Sequence, residues 1–205
     1  ARAGATVLAT DVDAAAVDAT RALAAAEGLA VHIALLDVTD QAAAAKWVDD
    51  AAAAHGGIDI LYNNAARTHF APVGEMTLEQ WRDTLRHELD IVFIPTRAAW
   101  AHMVRRGGGS IINIASVSGM RGTELMGASA HAAGKGGVIG FTRQLAIEGA
   151  PHWIRANTIS PGPIVTPATR VGLQMSPEFA RQFTGWPMLA RTGTPIDVAF
   201  AALYL

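Results

Sequence analysis

Short apolar runs alternating with longer stretches of helix formers leave few folds open to this chain. "ATVLATD" (5–11) closes on an acid, and "DAAAVDATRALAAAEG" (13–28) follows with good helix formers and a terminal glycine suited to a helix stop. The unit recurs as "AVHIALLD" (30–37) before "DQAAAAKWVDDAAAAHG" (40–56), then as "IDILYN" (58–63) before a loop and the long helical pattern of 77–106. "SIINIAS" (110–116) precedes a helix over 130–149, and "IRANTIS" (154–160) precedes the Pro- and Gly-bearing 161–170. Strands this uniformly apolar need cover on both faces. Five of them separated by helices predict a doubly wound α/β fold: a parallel sheet with right-handed crossovers and helices on both sides.

The alanine-rich helical segments carry Val17, Leu23, Trp47 and Val48 at helical spacing, so they read as amphipathic helices and not as low-complexity sequence. At 205 residues the expectation is one domain, 1–205, around one core. "ARAG" reads as the last turn of a helix begun earlier, and the chain closes on the apolar helical run "DVAFAALYL". The fold is therefore expected to be truncated at both ends, without a first strand and its Gly-rich turn and without a last strand.

Composition removes several function classes. A net charge of −2 with interspersed signs gives no electrostatic footprint for nucleic acid or an anionic membrane. There is no cysteine, hence no disulfide, thiol nucleophile or cysteine-ligated zinc, which fits a reducing, cytoplasmic setting. No apolar run reaches the length of a membrane span. His32, His55, His69, His87, His102 and His152 show no metal-ligand spacing with acids, and no metal is expected.

"ASAHAAGKGG" (128–137) sets His131 and Lys135 four apart at the start of a helical pattern, so both face the same side. Asp11 closes the first strand, where an acid either binds a nucleotide ribose or serves as a helix N-cap or first-turn acid. The fingerprint G-x-G-x-x-G is not in the chain; "RRGGGS" (105–110) precedes a strand and reads as a turn, and Ser129 denies "GKGG" (134–137) a P-loop pattern.

"LLDVTD" (35–40), "NNAA" (63–66), "SIINIASVSG" (110–119), "HAAGKGGV" (131–138) and "NTISPGPIVT" (157–166) occur in that order, each at a strand end or opening a helix. Together they resemble the short-chain dehydrogenase/reductase family, from about residue 4 to the C-terminus. The resemblance implies a Rossmann-type fold and NAD(P)-dependent oxidoreduction of an alcohol or ketone by a homotetramer or dimer. It makes Asp11 the ribose-binding acid, sets Asp37 and Val38 beside the adenine, and gives Asn64 and Ala65 backbone contacts to the cofactor. Pro161 and Gly162 lie in its loop near the nicotinamide, whose carboxamide end Ile164 and Thr166 hold. Ser116, with Ser118 as the alternative, hydrogen-bonds the substrate oxygen, and Lys135 binds the nicotinamide ribose. Because Val12 and Asp13 follow Asp11, no nearby base offsets repulsion of a 2′-phosphate, and NAD is expected in preference to NADP. Trp153, Trp186 and the stretch 171–189 would form a lid over a largely nonpolar substrate.

Two positions depart from the family pattern. The residue four before the lysine is His131 where the family has tyrosine, and the helix asparagine of its proton relay aligns with Glu88. Histidine titrates near neutrality and can serve as acid/base; beside Lys135 its cation is disfavoured unless Glu88 reaches the site. The expectations are an active oxidoreductase with Ser116, His131, Lys135 and Glu88 at its centre, or a catalytically impaired relative that binds a nucleotide or partner. Glu88 read alone is equally a solvated helix acid.

Overall fold

In the computed structural model, which describes residues 1–124, 127–189 and 191–205, the predicted alternation is realised. β1 (Val7–Asp11) leads to α1 (Ala14–Ala26), β2 (Val31–Leu35) to α2 (Gln41–His55), and β3 (Ile60–Asn63) to α3 (Leu78–Leu85). A π-helical turn, Arg86–Asp90, joins α3 to α4 (Ile91–Arg106); β4 (Gly109–Ile114), α5 (Ser129–Gly149) and β5 (Ile154–Ile159) follow. Helices α6 (Pro167–Met175), α7 (Pro177–Gly185) and α8 (Pro195–Tyr204) complete the order.

All strand pairs are parallel. Val7 is in register with Val31, Ile60 with Ser110, and Gly109 with Ile154. The strands form two hydrogen-bonded groups among the described residues, β1–β2 and β3–β4–β5. Side chains start the helices: Asp13 accepts from the Ala15 amide, Asp40 from those of Ala42 and Ala43, and Thr77 forms a reciprocal capping box with Gln80. Gly107, at φ +89°, ends α4 in the left-handed conformation that glycine adopts without strain, so "RRGGGS" is the turn its position suggested.

The main core lies between α2, α4, α5 and β3–β5, with Val48, Leu61, Ala99, Met103, Ile111, Leu145 and Ile154 in one cluster. A second cluster of Ile91, Val92, Ala115 and Val138, with Val38 packed against it, sits nearer the strand ends. Through the middle runs a buried polar ladder. Asn63 Nδ2 donates to Thr96 Oγ1 and Asn113 Oδ1, and Asn113 Nδ2 donates to Thr142 Oγ1, at 2.8–3.0 Å. Both threonine hydroxyls donate onward to helix carbonyls, Val92 and Val138.

Two expectations are corrected here. The helix expected to run unbroken over 77–106 contains the π turn at Arg86–Asp90, whose extra residue widens the backbone spiral around Glu88. Trp153 is no part of a lid: it occupies a positive-φ turn (φ +58°) at the N-terminal end of β5, where its carbonyl accepts from the Gly109 amide. That is the opposite end of the strands from Ser116, and Trp153 is 83% exposed.

Candidate active site

Because the strands are parallel, their C-terminal ends gather the connecting loops on one edge, where doubly wound sheets bind ligands. The loop after β2 reaches that edge, since Thr39 Oγ1 accepts from Arg86 Nη2 at 3.2 Å and Val38 packs against the cluster that includes Ala115. Ser116, extended at the end of β4, caps a short 3₁₀ turn, Val117–Gly119, by accepting from the Ser118 amide at 3.1 Å. The Val117 amide donates to the Pro161 carbonyl, which draws the loop after β5 to the same place. Gly119 presses on α5: a Cβ there would lie 2.6 Å from the Lys135 carbonyl carbon.

Lys135 and His131 stand one turn apart on α5. Lys135 is 5% exposed and its Nζ donates to the Ile114 carbonyl at 3.0 Å. Burial pushes its ammonium below the usual lysine range, with the Glu88 carboxylate acting in the opposite sense. His131 Nδ1 lies 2.6 Å from Glu88 Oε1, and the Phe70 ring packs 5.6 Å from the imidazole centre to centre. Glu88 is 1% exposed, so it is not a solvated helix acid. Its other oxygen, Oε2, is buried without a hydrogen-bond partner among the described residues.

Two signals in the sequence would have turned Glu88 inward. It falls on the stripe Thr84, Glu88, Val92, Thr96, Ala99, Met103, all of them buried at helical spacing. Gly134, between His131 and Lys135, is a glycine because a Cβ there would lie 2.8 Å from Glu88 Oε2.

The other expected positions are distributed along the same edge. Asp11 ends β1, and its Oδ1 accepts from the Asp13 amide; Asp13 is the α1 N-cap, so Asp11 does not serve as that cap. Asp37 accepts from the Thr39 hydroxyl and amide, which hold its carboxyl below the usual aspartate range, with the His87 and Arg86 charges adding to the effect. Asn64 and Ala65 are exposed where β3 ends, whereas Asn63 is committed to the buried ladder. Segment 163–165 pairs with Gly193, which closes the base of the excursion carrying α6 and α7. Thr166 spends its hydroxyl on the α6 capping box with Thr169. Trp186, just beyond α7, lies under the Arg121 guanidinium at 4.6 Å, which ties that excursion to the chain beyond the Ser116 turn.

Sequence reading missed an ion-pair cluster centred on Asp83. Asp83 receives Arg67 at 2.9 Å and His69 at 2.8 Å, and with His87 close by it pins the segment after β3 against α3. Among the described residues no group of three or more His, Cys, Asp or Glu could hold a metal ion, and no helix is long and apolar enough to cross a membrane.

Comparison with known proteins agrees with this architecture. Residues 1–205 match the family model described as Enoyl-(Acyl carrier protein) reductase. The cyclopentanol dehydrogenase of Comamonas sp. is 35% identical over all of this chain and 81% of its own length. An inactive 2-(S)-hydroxypropyl-CoM dehydrogenase 2 of Xanthobacter autotrophicus is 36% identical, over all of this chain and 88% of its own. Among solved structures, a gluconate 5-dehydrogenase from Burkholderia cenocepacia in complex with NADP and tartrate matches with a TM-score of 0.90 at 32% identity, covering all of this chain and 79% of that one. An NAD⁺-bound xylitol dehydrogenase matches with a TM-score of 0.88 at 27% identity, over 97% of this chain and 81% of that one. The fold and these relatives define a Rossmann-like α/β oxidoreductase. The chain belongs to the short-chain dehydrogenase/reductase family.

Proposed function

We propose that this protein interconverts a secondary alcohol and its ketone, using NAD in preference to NADP, with His131 as acid/base in the place where the family has tyrosine. The observation that carries the reading is the packing of the Ser116 turn onto the backbone of Lys135, one helical turn from His131, at the C-terminal edge of the strands.

The residues on that edge suit a nicotinamide dinucleotide. Asp11 is an acceptor with one oxygen engaged by the Asp13 amide, chemistry that matches a ribose diol and repels a 2′-phosphate. Gly162 faces open space in the loop after β5. Asp11, Asp37, Val38, Asn64 and Ala65 would hold the adenosine half, and Lys135 with Pro161, Gly162, Ile164 and Thr166 the nicotinamide half. When bound, the nicotinamide supplies the hydride acceptor for alcohol oxidation and the hydride donor for ketone reduction.

The chain's own residues handle the proton and the oxygen. Ser116 Oγ hydrogen-bonds the substrate oxygen and fixes its distance from the imidazole. His131 takes the hydroxyl proton as the alcohol is oxidised and returns it to the ketone oxygen in the reverse direction. Lys135 orients the cofactor ribose and contributes positive charge where oxyanion character develops. Phe70 and the apolar residues of α6–α7 favour a substrate with little charge, such as a small cyclic or branched secondary alcohol. Assembly as a dimer or tetramer and a cytoplasmic location complete the proposal, the first of them testable by sedimentation velocity.

Steady-state oxidation of a panel of secondary alcohols, cyclopentanol included, tests the reading by the appearance of NADH. Turnover is expected with the wild-type chain and should fall by about 10²-fold or more in His131→Ala. Equal turnover in that variant would remove His131 from the proton-transfer role. A second reading, a catalytically silent relative, is favoured by the likeness to the inactive Xanthobacter protein. It predicts measurable NADH binding with no turnover on any member of the panel.

A further inference from the structure

The notable feature of the site is a carboxylate with no solvent and two neighbours. Glu88 sits on the π turn Arg86–Asp90, 1% exposed, and presents Oε1 to His131 Nδ1 at 2.6 Å. Its neighbourhood is built to keep it there. Gly134 removes the side chain that would collide with Oε2 and with the Glu88 Cβ, at 2.8 and 3.0 Å. Lys135, on the next position of α5, lies close enough for its ammonium to feel the Glu88 charge.

Among the described residues, the elements next to His131 bring it the following charged groups. The π turn supplies Glu88, α5 itself supplies Lys135, and the 3₁₀ turn Val117–Gly119 carries no ionisable side chain. His87, beside Glu88 in sequence, turns away: its Nδ1 is 2.8 Å from the Asp83 carbonyl. Phe70 closes one side of the imidazole with an apolar ring.

An ionised carboxylate accepts hydrogen bonds and cannot donate them. With Glu88 as that acceptor, Nδ1 would carry the hydrogen in the pair and the lone pair of the neutral ring would fall on Nε2. An imidazole with one nitrogen held this way is locked in orientation as well as in tautomer, and the cation formed when Nε2 accepts a proton is met by a carboxylate on its other side. This offsets the repulsion from Lys135 that a histidine in this place would otherwise meet.

We propose that Glu88 is the positioning residue of a carboxylate–imidazole pair, fixing His131 as its Nδ1–H tautomer so that Nε2 is the nitrogen that exchanges a proton with the substrate oxygen. Gly134 is the complementary position that admits the carboxylate. The assignment of Nε2 to substrate rests on the oxidoreductase reading above; the pairing itself rests on geometry alone.

The experiment is nitrogen-detected NMR of the chain labelled in its histidine rings, with His131→Ala used to assign the signal, alongside steady-state kinetics. Neutral His131 should appear as the Nδ1–H tautomer in the wild type and redistribute toward Nε2–H in Glu88→Gln, whose amide can donate to Nδ1. In the same variant kcat should fall by about 10²–10⁴-fold while the KM for the nicotinamide stays within about twofold. Gly134→Ala is the second variant: it leaves Glu88 chemically intact and displaces it, and should broaden or shift the same ring signal, with thermal melts reporting that both variants fold. A wild-type His131 found as Nε2–H, or a tautomer and kcat unchanged in Glu88→Gln, overturns the proposal. The two readings fail separately. A wild-type chain that turns over no alcohol but shows the Nδ1–H tautomer keeps the pair and loses the oxidoreductase assignment, while full turnover by His131→Ala removes His131 from proton transfer and leaves the pair intact.

Discussion

Single residues carry most of the chemistry proposed for this chain, and their roles differ in how far they act alone. His131 and Lys135 share a face because four residues is about one turn of helix, which the sequence states outright. Gly134, between them, is a glycine for reasons of space: at Gly134→Ala the new methyl meets Glu88, and a loss of about 1–3 kcal/mol of stability is expected by thermal melting. Asp37 shows a different dependence. Its carboxyl is held below the usual aspartate range chiefly by the Thr39 hydroxyl and amide, so the charged form is favoured in the folded state. The contribution is complete above the unfolded value, near 3.9, and is lost as pH falls through the folded one. Asp37→Ala should therefore lower the melting temperature at pH 7, and the gap between variant and wild type should close as the pH falls through the lowered folded value. That Asp37 stands at the end of a strand was legible from "AVHIALLD"; that Thr39 would bond it twice was not, because hydroxyl direction is set by the packing of the loop.

At the scale of elements, period and caps were readable and interruptions were not. The strand β3 alternates, with Leu61 and Asn63 buried and Ile60 and Tyr62 exposed, so the alternation itself turns Asn63 toward the core. What it meets there, Asn113 and two helix threonines, depends on the register of β3 with β4 and the phase of α4 and α5. The ladder ties those four elements together. Asn113→Leu removes the acceptor of Asn63 Nδ2 and the donor to Thr142, and urea unfolding should register a loss of about 1–3 kcal/mol. The π turn at Arg86–Asp90 left no sign in the pattern of 77–106, since the buried stripe continues through it. Its presence is decided by the packing of α3 and the turn against α5, which the side chains of one helix do not record.

Across the whole molecule, the edge formed by the strand ends joins parts far apart in sequence, and one long-range contact sets how the α6–α7 excursion meets it. Arg121 over Trp186 is an exposed cation–π pair worth about 0.5–1 kcal/mol. Arg121→Ala should change Trp186 fluorescence and speed proteolysis within 167–185, with the global unfolding midpoint nearly unmoved; equal protection of that segment would deny the contact a role in holding it. The alternation of apolar strands with helices determined the fold class, and a set of short motifs in fixed order determined the family, because both are written in local spacing: a period of two or of 3.6, a cap, a glycine at a turn. The tertiary structure alone decided that Glu88 meets His131 across 43 residues, that Trp153 lies at the far end of β5 from the site, and that the strands pair in two groups. Those outcomes depend on how helices and strands cross and press on one another, and crossing geometry is fixed by the packing of many side chains at once.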